Sequence, residues 1–152
     1  MDKYKKYIEN TTWIVPYANV LAYKHIDDNN EMAKDQTVWK INKYDNGYFF
    51  GDAYASIDGI KGYYNLIGTL TPLKDVLITF TSENSSPITG FGKFRRNKKG
   101  EYAFIMQMYT PITNTIGTSH WSFMISVNKN DKCYQKLPYL KISVDEFISE
   151  FD

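Results

Sequence analysis

The sequence predicts an all-β protein: an antiparallel up-and-down barrel of about eight strands with short N- and C-terminal helices, in one domain spanning residues 1–152. Three observations carry this. Aromatic residues make up 16% of the chain, with 13 Tyr and 9 Phe, and such residues favour strands and pocket walls. Between Gly47 and Val127 short apolar runs follow one another, each broken by glycine or a polar turn. Within that stretch Gly47-Tyr48-Phe49-Phe50-Gly51-Asp52-Ala53-Tyr54-Ala55-Ser56 alternates strictly, and a period of two puts alternate residues on opposite faces of a sheet.

In chain order, residues 2–9 read as a short helix with Tyr4, Tyr7 and Ile8 on one side, ending at Asn10-Thr11. Residues 12–23 are apolar but interrupted by Pro16, which suits an irregular or edge strand. Residues 25–35 read as a polar connection, with Asn30 capping a helical turn over 31–34. Strands are then expected at 37–44, 47–57, 62–71, 76–82, 89–96, 102–110 and 119–127. Asp45-Asn46-Gly47 is a tight hairpin signal because Asn-Gly supplies positive φ angles. Asp58-Gly59 and Asn97-Lys98-Lys99-Gly100 serve the same role, and connections this short force antiparallel neighbours. Asn10-Thr11-Thr12 and Asn84-Ser85-Ser86 match a glycosylation pattern but read more simply as turn residues. Near the C-terminus Ser143-Val144-Asp145-Glu146 forms a capping box, followed by Val144, Phe147, Ile148 and Phe151 at helical spacing.

Composition bounds the function. At 152 residues the chain can bury a core without disulfides, and its single cysteine, Cys133, forms no internal bridge. The net charge of +1 gives no support to nucleic-acid or anionic-membrane binding. No apolar run reaches transmembrane length, and the charged start has no apolar run after it, so a cytoplasmic setting is expected. Two histidines and one cysteine far apart give no metal spacing, and His25 with Asp27 and Asp28 is at best a sparse oxygen-rich loop. No cofactor is expected. Gly90-Phe91-Gly92 is too short for a phosphate loop, and no nucleophile elbow occurs. Lys93, Arg95, Arg96, Lys98 and Lys99 crowd one hairpin and read as solvated gatekeeping charges rather than an anion site.

The expected site lies on strand residues. Trp39, Tyr48 and Tyr54 would form aromatic walls, with Asp52, Gln107 and His120 fixing polar groups of a small ligand. Which parity of each strand faces inward is open. With Tyr48, Phe50, Asp52, Tyr54 and Ser56 inward, Asp52 is a buried anchor; with Gly, Phe and Ala inward, that set faces water. In residues 119–127 Trp121, Phe123, Ile125 and Val127 look like core, which leaves His120, Ser122 and Met124 on the other side. Long stretches carry no formal charge on either parity, so either terminal segments cover the outer wall or barrels pack together. A homo-oligomer is expected.

The Gly-aromatic strands, the run Tyr63-Tyr64-Asn65-Leu66-Ile67-Gly68-Thr69-Leu70 and the late strand Thr118-Ser119-His120-Trp121-Ser122-Phe123 together resemble the avidin and lipocalin group of calycin barrels, over residues 39–127. That resemblance implies an up-and-down barrel with a ligand at its open end and, as in avidins, oligomers of barrels. Trp13 follows Thr11-Thr12 rather than standing in the Gly-x-Trp of lipocalins, and residues 13–23 lack the avidin Trp, Asn and Ser series. The resemblance therefore carries architecture and no binding residue. Three functions follow: a barrel that binds a small, partly apolar or aromatic molecule; a structural or interaction barrel acting as an oligomer; and a lyase-, isomerase- or cyclase-type enzyme using Asp52 or His120 as acid/base.

Overall fold

The protein's computed structural model describes residues 2–18, 21–27, 29–83, 85–111 and 115–151. A 3-10 turn, Asp2–Tyr4, runs into helix α1 (Lys5–Ile8). Nine strands follow: β1 (Thr11–Ile14), β2 (Leu21–Ile26), β3 (Asn29–Asp45), β4 (Tyr48–Ile57), β5 (Ile60–Leu70), β6 (Asp75–Ser82), β7 (Ser85–Arg96), β8 (Tyr102–Pro111) and β9 (Ile116–Val127). Two short helices end the chain, α2 (Lys132–Gln135) and α3 (Val144–Ser149).

Each strand from β3 to β9 pairs antiparallel with the next. Strands β1 and β2 share one stave: β1 pairs with β3 and β9 near one end of the barrel, and β2 pairs with the same two strands near the other. The result is a closed, antiparallel, eight-stave up-and-down barrel, so the sheet has no free edge.

Local chemistry sets the turns. Asn46 and Gly47 both adopt positive φ, 48° and 90°, as do Asp58 and Gly59, 51° and 78°, which matches the twist of a two-residue hairpin. Strand β3 is longer than its apolar pattern. Residues 29–34 form a hairpin with β2, turned at Asp27 (φ 51°), rather than the polar connection and capped helical turn expected there. All of 29–34 except Ala33 is exposed, so this stretch has no buried face to write a period of two into the sequence.

The inward parity is the small one. Phe49, Gly51 and Ala53 point into the barrel, and Tyr48, Phe50, Asp52 and Tyr54 point out. Glycine makes room for large neighbours. The ring of Phe49 lies over its cross-strand partner Gly68, and Met108 lies over Gly90. At Gly51 and Gly92 the neighbouring strand's backbone, at Lys40 and Ile105, occupies the space a Cβ would need, so the sheet coils most tightly where side chains are missing. Trp13, Trp39, Leu66, Phe94, Phe104, Met106 and Met124 fill the interior. Phe104 is the hub, with ring centroids 4.6 Å from Trp13, 4.8 Å from Phe94 and 5.8 Å from Trp39.

One barrel end is plugged. Tyr4 and Ile8 are buried there, and Tyr4 meets Phe94 and Tyr102 edge-on at 5.8 and 6.1 Å. A second apolar cluster lies outside the barrel. Tyr134, Leu137, Val144 and Phe147 of the C-terminal segment pack on Ile14, Val38 and Val127 of the outer wall. Ser143 caps α3 by accepting from the Glu146 amide at 3.0 Å, as the capping box requires. Gln36 accepts from the Tyr139 amide (3.3 Å), and Lys61 pairs with Glu150 (2.9 Å), tying this segment down.

Strand β9 corrects one expectation. His120, Ser122 and Met124 face inward, while Trp121 stands 53% exposed on the outer wall. Val127 and Ile125 are covered only because the C-terminal segment lies over them. An apolar outer face mimics the alternation of a core strand, which is why Trp121 and Phe123 read as core.

Candidate functional site

The inner file of β3 runs Asp35, Thr37, Trp39 and Ile41, and that of β9 runs Thr118, His120, Ser122 and Met124. These two strands flank the split first stave. The registers of β1 and β2 place Asp35 and Ser122 at one level on either side of the break between Ile14 and Leu21. The polar groups therefore gather where the stave is interrupted, away from the end plugged by α1.

Asp35 is only 2% exposed. Its Oδ1 accepts from the Thr37 hydroxyl at 2.9 Å, and its Oδ2 lies 4.0 Å from His120 Nδ1. Burial pushes the Asp35 carboxyl up to about 6, against a smaller opposing effect of the Thr37 bond. Burial also pushes His120 down to about 4. Both shifts disfavour the charged form, so burial works against an ion pair across the 4.0 Å approach. Near neutrality the site holds one buried carboxylate beside a neutral imidazole.

Four polar atoms on these files, Asp35 Oδ2, Trp39 Nε1, His120 Nδ1 and Ser122 Oγ, have no hydrogen-bond partner among the described residues. Such atoms are rare in folded interiors, and each costs roughly 1–3 kcal/mol when left unsatisfied. Aromatic surface lies alongside. The Trp39 ring is 5.8 Å from Phe80, and Phe80 is 6.5 Å from half-buried Tyr64, whose hydroxyl burial pushes up. This set offers an acceptor at Asp35, a donor at Trp39 and two groups, His120 and Ser122, able to do either.

The six residues expected from sequence divide between the two faces. Trp39 and His120 point inward and belong to this cluster. Tyr48, Asp52, Tyr54 and Gln107 lie on the outer wall and do not join them. Asp52 is held there by the Tyr63 hydroxyl at 2.5 Å and by Asn42 Nδ2 at 3.2 Å, a bond that raises Tyr63 to about 12. Tyr54 packs against Tyr63 and Phe151, 5.3 Å from each. Asp35 and Thr37 stand outside the site expected from sequence, and Ser122 shares the face of His120 there without an assigned role. The signal for the first two is the alternation Asp35-Thr37-Trp39-Ile41, which starts two residues before the strand expected at 37.

The other candidates are engaged elsewhere. His25 bonds Asn30 (2.5 Å) and Ser119 (2.9 Å). Asp28 lies outside the described residues, as does Asn84, and among the described residues no three metal-ligating side chains cluster. In the basic hairpin Lys93 pairs with Asp75, and Arg96 donates to the Gly100 carbonyl at 3.1 Å. No helix among the described residues is long and apolar enough to cross a membrane. Comparison of the chain with protein-family models, with curated proteins and with solved structures gives no match.

Proposed function

We propose that this barrel is a calycin-like binding protein that takes a small molecule between β3 and β9, away from the end closed by Tyr4 and Ile8. Asp35, His120 and Ser122 bond the ligand's polar groups, and Trp39, Tyr64 and Phe80 flank an apolar or aromatic part. The observation that carries this reading is the set of four buried polar atoms without partners on the inner files of β3 and β9. A ligand that donates to Asp35 Oδ2 and accepts from Trp39 Nε1 recovers bonds that the fold leaves unmade. The up-and-down strand order supports the calycin-like part, and the unpartnered polar atoms lie away from the end that Tyr4 and Ile8 close.

Native mass spectrometry of protein purified without denaturation, set against its denatured mass, tests the reading. The expected result is a reproducible small-molecule adduct, lost in Asp35→Ala and in His120→Leu, whose removal lowers the melting temperature. An adduct-free protein whose melting is indifferent to added extract metabolites would sink it.

A further inference from the structure

The C-terminal segment covers the outer wall at β1, β3 and the end of β9, and Tyr17 lies against Phe123 of β9, but large apolar side chains stay exposed on the outer wall from β6 to Trp121 of β9. Leu77, Phe91, Gln107 and Trp121 form one row of directly paired neighbours across these four strands. Leu77 is 47%, Phe91 58% and Trp121 53% exposed, and Ile67, Ile105 and Tyr109 beside them are similarly open. A surface groove of about 870 Å³ runs along this row, walled by Phe91, Ile105 and Trp121.

Six apolar side chains near half exposure offer on the order of 100 Å² each, roughly 600 Å² together, which already matches the largest patch of a typical monomer. With Thr69, Thr79, Thr89 and Gln107 between them, the face approaches the ~800 Å² that one partner contributes to a standard interface. The row Leu77, Phe91, Gln107 and Trp121 carries no formal charge; Asp75 and Lys93, which line the same groove, pair with each other, and Arg95 lies beyond Lys93 on the outer file of β7. The outer wall of β3 and β4, by contrast, carries Lys40, Lys43 and Asp52.

We propose that this face binds a second copy of the chain across a twofold axis, giving a homodimer. In an isologous contact residue i meets residue j and j meets i, and only groups near the twofold axis meet their own image, so a patch whose centre is neutral and apolar can face itself without like-charge repulsion. A closed barrel has no free strand edge, so copies join through faces rather than by strand addition. Neutrality also removes the selection that an acidic or basic partner would need. A lipid occupant fits poorly, because barrels that stand in bilayers have polar interiors, and this one is filled with Trp, Phe and Met.

Sedimentation velocity over a concentration series tests this. The expected wild-type species has twice the chain mass of 17.7 kDa, and Phe91→Lys with Trp121→Lys returns the single-chain mass. Ile60→Lys, which removes an exposed apolar residue away from the face (71% exposed), leaves the dimer intact. Tryptophan emission gives a reading on the unmodified protein should the lysine variants fail to fold. Trp13 and Trp39 are fully buried, so a red shift on dilution reports Trp121 leaving an interface. A wild type that stays at the single-chain mass with concentration-independent emission overturns the proposal. So does a dimer that survives the double lysine variant in folded form, or a single-chain species that floats with neutral phosphatidylcholine vesicles.

Discussion

Asp35 and His120 pull the pH dependence of stability in opposite directions. Asp35 binds its proton more tightly folded, about 6 against 3.8, so its contribution is full below 3.8 and is lost as pH rises to about 6. His120 binds its proton less tightly folded, about 4 against 6.5, so it costs stability as pH falls from 6.5 to about 4. Each effect is worth about 3 kcal/mol, and between pH 4 and 6 they nearly cancel. Asp35→Asn is therefore expected to melt at progressively lower temperature on acidification from 6.5 to 4. His120→Leu is expected to lose stability, relative to wild type, as pH rises from 4 to 6. Thermal melts of both variants beside wild type across this range check the signs, and profiles parallel to wild type would contradict buried, neutral groups. Half of this pair was legible in the sequence. His120 stands out as a lone histidine in a strand, whereas Asp35 is the last residue of the polar stretch 25–35 that reads as a connection. Asp52 was more conspicuous, an acid between tyrosines, but its environment is a tyrosine and an asparagine on the outer wall. Sequence ranks acids by their neighbours in the chain, and burial depends on neighbours across the sheet.

The terminal elements act as covers, each held by a few side chains. Residues 2–8 stop one end of the barrel chiefly through Tyr4, whose ring touches Phe94 and Tyr102. Tyr4→Ala is expected to cost ~3–5 kcal/mol, as for other large-to-small changes at buried aromatics. Urea titration should show a lower midpoint with unchanged slope, and Tyr7→Ala, at a half-buried position, a smaller fall. The helices were readable because their signals are local: the apolar spacing of Tyr4, Tyr7 and Ile8, and the capping box at Ser143. Helix α2 has no such signal. Asp131 at its N-cap makes no side-chain capping bond to it, and only Tyr134 of its four residues is buried. The β2–β3 hairpin was illegible for a related reason, since strand periodicity is written only where one face is buried.

At the scale of the whole molecule, turn chemistry and the period of two were enough to give the architecture, because short connections leave few topologies open. The facing of each strand was not enough. In a barrel with an apolar inside and a partly apolar outside, both parities of β8 and β9 carry large residues, and only the three-dimensional neighbours separate them. Closure has a further consequence, for the order in which the protein is made. The first stave pairs with the last strand, Thr12 opposite Val127, so the seam joins residues 115 positions apart. Until β9 leaves the ribosome the growing sheet keeps two raw edges, at β8 and along β1–β2, with aromatic rings exposed between them. The nascent barrel therefore carries unpaired edges until β9 has been made, and residues 116–127 decide whether residues 11–26 find their place.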